Sequence, residues 1–488
     1  MANLTPELEA FRKLIESTSK KMGLDFYDTI FELIPYDKIN EIAAYGGFPK
    51  RYPHWKFGME YEKLSKSYEY GLSKIYEMVI NTDPCYAYLM EGNNILDQKL
   101  VMAHVYGHCD FFKNNVWFSQ TNRKMVDAMA NHGVRVKSYM ERYGHNEVEN
   151  FIDQCLSLEN LIDRYGIFSP PRKPESLIQQ APNFKLKSTS DYMDKYINPP
   201  GIIKQQQENF AKEQESKSKF PQYPEKDILQ FLMYNAPIPE WQQDILSIIR
   251  EEAYYFSPQG LSKTLNEGWA SYWHSKILTT KILNDSEIVE FSDKHAGVMQ
   301  MQPGSYNPYK IGIELLRDIE YRYDNGQFGR EWADCDDMKE KANWKKRTNM
   351  GKEKIFEIRK LYNDVGFISE FLTKEFCERQ KLFVYKFNPQ TNKFVVDSSD
   401  FNSIKKQLLF QLTNFGQPII SVENANFQNR GELLLTHLYE GQELQPKFME
   451  KTLKNLYHIW KRPIHLSTTL KDSSLIIGFD GKDFSYIK

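Results

Sequence analysis

The chain has 488 residues, enough for two or three domains that each bury a core. Hydrophobic residues make up 41% and charged residues 26%, the balance of a soluble globular protein, and a net charge of -2 leaves no concentrated basic face for nucleic acid or an anionic membrane. Cys85, Cys109, Cys155, Cys335 and Cys377 are odd in number with no C-x-x-C spacing, which excludes a disulfide framework and fits a reducing cytoplasm.

Charges run through the first 23 residues (Glu7, Glu9, Arg12, Lys13, Glu16, Lys20, Lys21), so Thr5–Met22 is expected as an amphipathic helix and not a secretion signal. No stretch approaches the ~20 apolar residues of a membrane span. Helical periodicity continues over Glu60–Asn81, 97–118 and 121–143, making 1–167 the first part of a mainly helical domain. Composition shifts near Phe168: Ser169-Pro170-Pro171, Asn198-Pro199-Pro200-Gly201 and a Gln205-Gln206-Gln207 run predict an exposed insertion over 168–222. Helices resume at 225–234, 239–256, 260–281, 284–297, 307–323 and 351–380, so 223–380 reads as the second part, packed with 1–167. Over 381–488 the texture changes. Strands at Leu382–Phe387, Lys393–Val396, Pro418–Val422, Leu433–His437, Ile464–Thr468 and Ser474–Phe479 alternate with helices at 401–413 and 446–460, a small C-terminal α+β module. The fold class expected for the whole chain is α+β.

Two distant helical stretches carry candidate chemistry. His104 and His108, at i and i+4, share one helix face, the usual way for a helix to offer an imidazole pair to a metal. Asp110 is a candidate to hold the second nitrogen of a ligand histidine. Gly107 costs about 1 kcal/mol against Ala in a helix interior, which close approach of another backbone would explain. The position after His104 is Val105, so the H-E-x-x-H general base of the zincins is missing. Asn266-Glu267-Gly268-Trp269-Ala270-Ser271-Tyr272 resembles the second metal helix of the gluzincin aminopeptidases, which makes Glu267 the third candidate ligand. His274 lies about 10.5 Å further along that helix. Three roles stay open for it: ligand, outer partner or proton-transfer residue, and half of a two-metal site. Glu251 and Glu252 are candidates for the missing base; as neighbours they point about 100° apart, so at most one faces a pocket. The competing reading of each residue is structural: satisfied core histidines and paired surface carboxylates.

Longer segments resemble the stage V sporulation protein R family. They are Ala44 through Gly58, Tyr70 through Glu77, Asn81 through Tyr88, His104 through Asn115, Arg250-Glu251-Glu252, Asn266 through His274 and Asn307 through Gly312. The resemblance implies a role in forming the spore cortex and association with a serine protein kinase, and it implies no reaction. Two functions are therefore expected as alternatives. One is a cytoplasmic metal-dependent hydrolase acting on an amide or peptide-like bond of a cell-wall precursor or peptide, with zinc the first choice of ion and manganese or iron next. The other is a non-catalytic assembly factor whose His/Glu cluster is a structural metal site or a polar core. The first needs His104, His108 and Glu267 to converge from two parts of the chain.

Overall fold

A computed structural model describes residues 4–69, 77–168, 219–471 and 473–487, with isolated positions 199, 204, 205 and 208. The chain is α+β and divides into two compact units, residues 1–149 with 254–417, and residues 150–253 with 418–488. Most of the insertion expected over 168–222 lies outside the described residues.

In the first unit, β1 (Thr29–Ile34), β2 (Met78–Ile80) and β3 (Cys85–Met90) form a sheet in the order β1-β3-β2. β1 runs parallel to β3, and β2 is antiparallel to it. The periodicity that predicts one helix over Glu60–Asn81 covers a helix, Trp55–Glu69, and then β2. Met78-Val79-Ile80 is a short apolar run, and the pairing of Val79 with Ala87 and Ile80 with Tyr86 supplies a half-buried pleated surface that decides in favour of the strand.

The histidine helix, Ile95–Asn114, follows. It starts at Asn94, whose side chain accepts the Asp97 N–H at 2.8 Å. Every residue from Val101 to Phe112 is buried, so this helix is a core element on all sides. Against it lies the glutamate helix, Lys263–Ile277, which in turn packs on the Pro308–Asp324 helix. Glycine sets both spacings. A Cβ on Gly107 would stand 2.7 Å from Ala270 Cα, and one on Gly268 would stand 2.4 Å from the Gly312 carbonyl carbon. The backbones touch, and the conformational cost of glycine is offset by dispersion contact along the seam. Trp269, Tyr272, Ile313, Leu315, Leu316 and Ile319 fill the same core.

Two helix boundaries differ from the periodicity. The Glu240–Leu261 helix carries Pro258 inside it and does not end before it. The span 351–380 is three helices, Gly351–Leu361, Asp364–Phe371 and Lys374–Gln380. Asn363 and Thr373 divide them because each side chain caps the helix that follows, accepting the N–H of Gly366 at 2.9 Å and of Phe376 at 3.2 Å. The hairpin β4 (Val384–Asn388) and β5 (Lys393–Ser398) and the Phe401–Leu412 helix, which the sequence texture groups with the C-terminal module, belong to the first unit.

The second unit holds a five-stranded sheet of β6 (Ile420–Phe427), β7 (Glu432–His437), β8 (Ile464–Leu470), β9 (Ser473–Phe479) and β10 (Phe484–Ile487), in the order β10-β9-β8-β7-β6. β7 and β8 are parallel and are joined by the Pro446–Trp460 helix. Met449, Leu453, Leu456 and Trp460 recur at helical spacing and are buried, as are Leu433, Leu435, Ile464, Leu466, Ile477 and Phe479 on the strands. Among the described residues, no helix is long and apolar enough to cross a membrane.

The glycine seam gives a contrast to measure. Gly268→Ala and Gly107→Ala are each expected to cost about 2 kcal/mol or more, because backbone must move to admit the methyl group. Gly58→Ala, in a helix with nothing within 4 Å, is expected to be neutral or to stabilise by up to about 1 kcal/mol. Urea unfolding of the three variants checks both halves.

Candidate metal centre

The seam brings the two distant stretches together. His104 and His108 project from one face of the histidine helix, their rings 4.6 Å apart, and Glu267 faces them from the glutamate helix. A fourth group joins them, Glu77, which enters β2. Each of the four offers one ligand atom, and these atoms all lie within 4.8 Å of one another. Such a set can hold a metal ion.

The distances support that geometry. His104 Nε2 lies 3.2 Å from Glu77 Oε2 and 3.4 Å from Glu267 Oε2. His108 Nε2 lies 3.4 Å from Glu267 Oε2 and 3.9 Å from Glu77 Oε1. Nitrogen and oxygen ligands about 2.0–2.1 Å from a tetrahedral ion stand about 3.3 Å apart, so three of the four separations match a tetrahedral edge. His104 Nε2 and Glu267 Oε2 are buried and have no hydrogen-bond partner. They are close enough to pair as charges, yet neither is aligned on the other. Atoms arranged this way converge on a point between them.

Electrostatics inside the cluster are strong. Burial works against the His108 imidazolium, but Glu267 and Glu77 outweigh it and raise His108 to about 10. His104 is also raised, with burial opposing and Glu77 leading the increase. Burial pushes the Glu77 and Glu267 carboxyls up, and the two imidazoles more than reverse this, leaving both below the usual carboxylate range. The two imidazoles and the two carboxylates stabilise one another where water is largely displaced.

The outer nitrogens are fixed as well. His108 Nδ1 and Asn266 Oδ1 are 2.9 Å apart, so the ring donates its Nδ1–H and keeps the Nε2 lone pair for the centre. His104 Nδ1 lies 2.8 Å from His274 Nδ1, and His274 Nε2 lies 3.3 Å from His295 Nδ1. Burial and the neighbouring His104 hold His274 well below the ordinary histidine range. With neutral rings and a lone pair on His104 Nε2, one tautomer assignment satisfies the chain: His104 donates from Nδ1 to His274, and His274 donates from Nε2 to His295. His274 is thus hydrogen-bonded to His104 and is not among the four converging groups.

Asp110 does not hold a ligand histidine. Two residues beyond His108 it points about 200° around the helix. There it accepts from the Asp25 N–H at 2.7 Å, Trp269 Nε1 at 2.8 Å and Arg359 Nη1 at 3.0 Å. The ring that sequence spacing assigned to it is held by Asn266, a neighbour of Glu267 that carries no charge to draw attention. Glu251 is exposed and Glu252 buried on the Glu240–Leu261 helix; both fall in the second unit and neither is among the four converging residues. Cys109, buried on another face, is not among them either.

Glu77 had a weak signal in the sequence. It is a lone carboxylate inside the Glu60–Asn81 stretch read as one helix, with no ligand-type residue at helical spacing from it, although it closes the Tyr70–Glu77 segment that resembles a known family. The comparisons with known proteins now bear on that resemblance. The family described as SpoVR like protein matches residues 3–417, and the SpoVR-like C-terminal domain matches 418–471. The chain belongs to the SpoVR family. The junction of the two family segments, 417/418, falls at one of the three chain positions where the structural units change, and the first segment also includes residues 150–253 of the second unit. The uncharacterized protein YcgB of Escherichia coli strain K12 is similar at 28% identity over 500 residues, covering 96% of this chain and 93% of YcgB. No solved structure matches the chain.

Within this SpoVR chain, Asp364 aims the glutamate helix. Its carboxylate accepts the Thr264 N–H at 2.7 Å and the Leu265 N–H at 2.8 Å, capping from another helix an N-terminus that Ser262 leaves uncapped. Burial pushes the Asp364 carboxyl up from its ordinary 3.8 to about 7, against the pull of the two backbone donors. A carboxyl raised by folding binds its proton more tightly in the native state. That contribution to stability is complete below pH 3.8 and is lost as pH rises through about 7. Urea unfolding across this window should show native stability falling with pH, and in Asp364→Asn that part of the slope should vanish.

Proposed function

We propose that this SpoVR chain is a metalloprotein in which His104, His108, Glu267 and Glu77 bind one divalent ion, with zinc the first choice and manganese or iron next. The observation that carries this reading is the convergence of four ligand atoms, two of them buried and otherwise partnerless, at separations near a tetrahedral edge. Two imidazoles and two carboxylates form a donor set of borderline hardness that suits these ions. The function supported best is hydrolysis of an amide or peptide-like bond, within the sporulation-related role that the family suggests. A divalent ion held there lowers the pKa of a bound water to near neutrality.

The chain's own residues supply the rest. Glu77 presents both carboxylate oxygens to the centre, Oε2 at 3.2 Å from His104 Nε2 and Oε1 at 3.9 Å from His108 Nε2. One oxygen can hold the ion while the other accepts a proton, so Glu77 takes the base role for which Glu251 and Glu252 were the sequence candidates. Both carboxylates are half-buried, while the two imidazoles are almost fully buried. His274 and His295 orient His104. A docking role for the C-terminal α+β module belongs to the alternative, non-catalytic reading, and the kinase association implied by family resemblance is compatible with either.

The presence of four protein ligand groups, with both imidazoles buried, favours a second reading. Four protein ligands also describe a closed structural site, which would make the protein an assembly factor. Metal analysis of purified protein tests the shared premise. About one ion per chain is expected in the wild type, and little in His108→Ala or Glu267→Ala, which remove a donor atom outright, with both variants folded. His274→Ala should keep the site but weaken it by about 10- to 100-fold. Removing the ion with a chelator should lower stability, by about 2.7 kcal/mol relative to ion at 100 times its Kd. Absence of stoichiometric metal would sink both readings. Glu77→Gln separates them: loss of function in cells with metal retained supports catalysis, and retained function supports the structural role.

A further inference from the structure

Tyr309 stands apart from the other groups around the cluster because it neither ligates nor orients a ligand from behind. Its ring stacks on His104, with centroids 6.3 Å apart and planes 30° apart. Burial first, and then the nearby Glu77 and Glu267 carboxylates, push its phenol above the ordinary tyrosine range. Tyr309 is half-buried, as Glu77 is, whereas both ligand imidazoles are almost fully buried.

Its position is fixed by more than its own contacts. Tyr309 is the second residue of the Pro308–Asp324 helix, with Pro308 at the first position and the Asn307 side chain accepting the Lys310 N–H at 3.2 Å. One turn on, Gly312 meets Gly268 backbone to backbone, and Gly268 adjoins Glu267. The phenol and the ligand carboxylate are therefore held by one rigid contact. A group so fixed loses little entropy when it binds something.

We propose that Tyr309 is the hydrogen-bond donor that receives an oxygen ligand at the metal, resting on the metal-site reading above. The phenol O–H has two carboxylates nearby and one proton to give. When those carboxylate oxygens turn to an ion, the proton is available to an incoming oxygen beside them. The chemistry selected is a carbonyl, hydroxamate or tetrahedral oxyanion, and Tyr309 keeps its proton throughout.

The test uses the full chain loaded with Co(II), with acetohydroxamate as the probe and the visible cobalt bands as the readout. Wild type is expected to bind cobalt and to change its spectrum on hydroxamate binding. Tyr309→Phe, which keeps the stacked ring, is expected to hold cobalt as the wild type does and to bind hydroxamate about 10- to 100-fold more weakly. Equal hydroxamate affinity in the two proteins would overturn the role of Tyr309. So would loss of cobalt from Tyr309→Phe, since the phenol would then be a support for the carboxylates. Wild type that holds cobalt and ignores hydroxamate would also overturn it, and would leave the metal site standing as a closed one. Wild type that holds no cobalt would bring down the metal-site reading itself.

Discussion

Backbone contact along the seam of three helices is the constraint on which the rest of the first unit depends. Gly107 lies against Ala270, and Gly268 lies against Gly312, at distances that no side chain could enter. Glu267 and His108 are each next in sequence to one of these glycines. The ligand atoms can meet at 3.4 Å only because the helices that carry them are this close. With Cβ atoms in the seam, helix axes would separate toward the ordinary spacing of about 8–10 Å. Short side chains such as Glu would then fail to span the gap.

Closeness alone would give a poor core, because it drives two carboxylates and two imidazoles into a nearly dry space. Polar groups on the far sides of the same helices compensate. Asn266 takes the outer nitrogen of His108, and His274 and His295 do so in sequence for His104. Asp110 ties the back of the histidine helix to Trp269 on the glutamate helix and to Arg359 on the Gly351–Leu361 helix. Asp364 closes the helix end that leads to Glu267. His104 Nε2 and Glu267 Oε2 face each other at the centre of the cluster without a hydrogen-bond partner, which sets them apart from other unpartnered buried atoms on these helices, such as Ser271 Oγ and Trp273 Nε1. An ion between them is the simplest way to satisfy both.

How much of this could be read from the sequence follows from the kind of signal each part emits. His104 and His108 were legible because helical spacing alone puts them on one face, and Gly107 because a helix rarely keeps glycine without close packing. Glu267 was legible from a seven-residue resemblance. Glu77 was not, since it sits where a helix pattern gives way to a strand, and no periodicity relates it to residues 27 or 190 positions away. Asp110 misled because nearness in sequence suggested a shared role, while two steps along a helix reverse direction. The α+β class was legible from strand-like runs after residue 382. The parallel pairing of β1 with β3 was not, because a parallel ladder is a long-range contact that leaves no local mark. Helix ends at Asn363 and Thr373 were hidden inside an apolar pattern that caps override.

X-ray absorption at the metal edge of purified wild-type protein tests the central claim most directly. The account predicts a first shell of nitrogen and oxygen only, at about 2.0–2.1 Å, with the outer-shell scattering of two imidazoles. A shell containing sulfur near about 2.3 Å, or one without imidazole scattering, would contradict it.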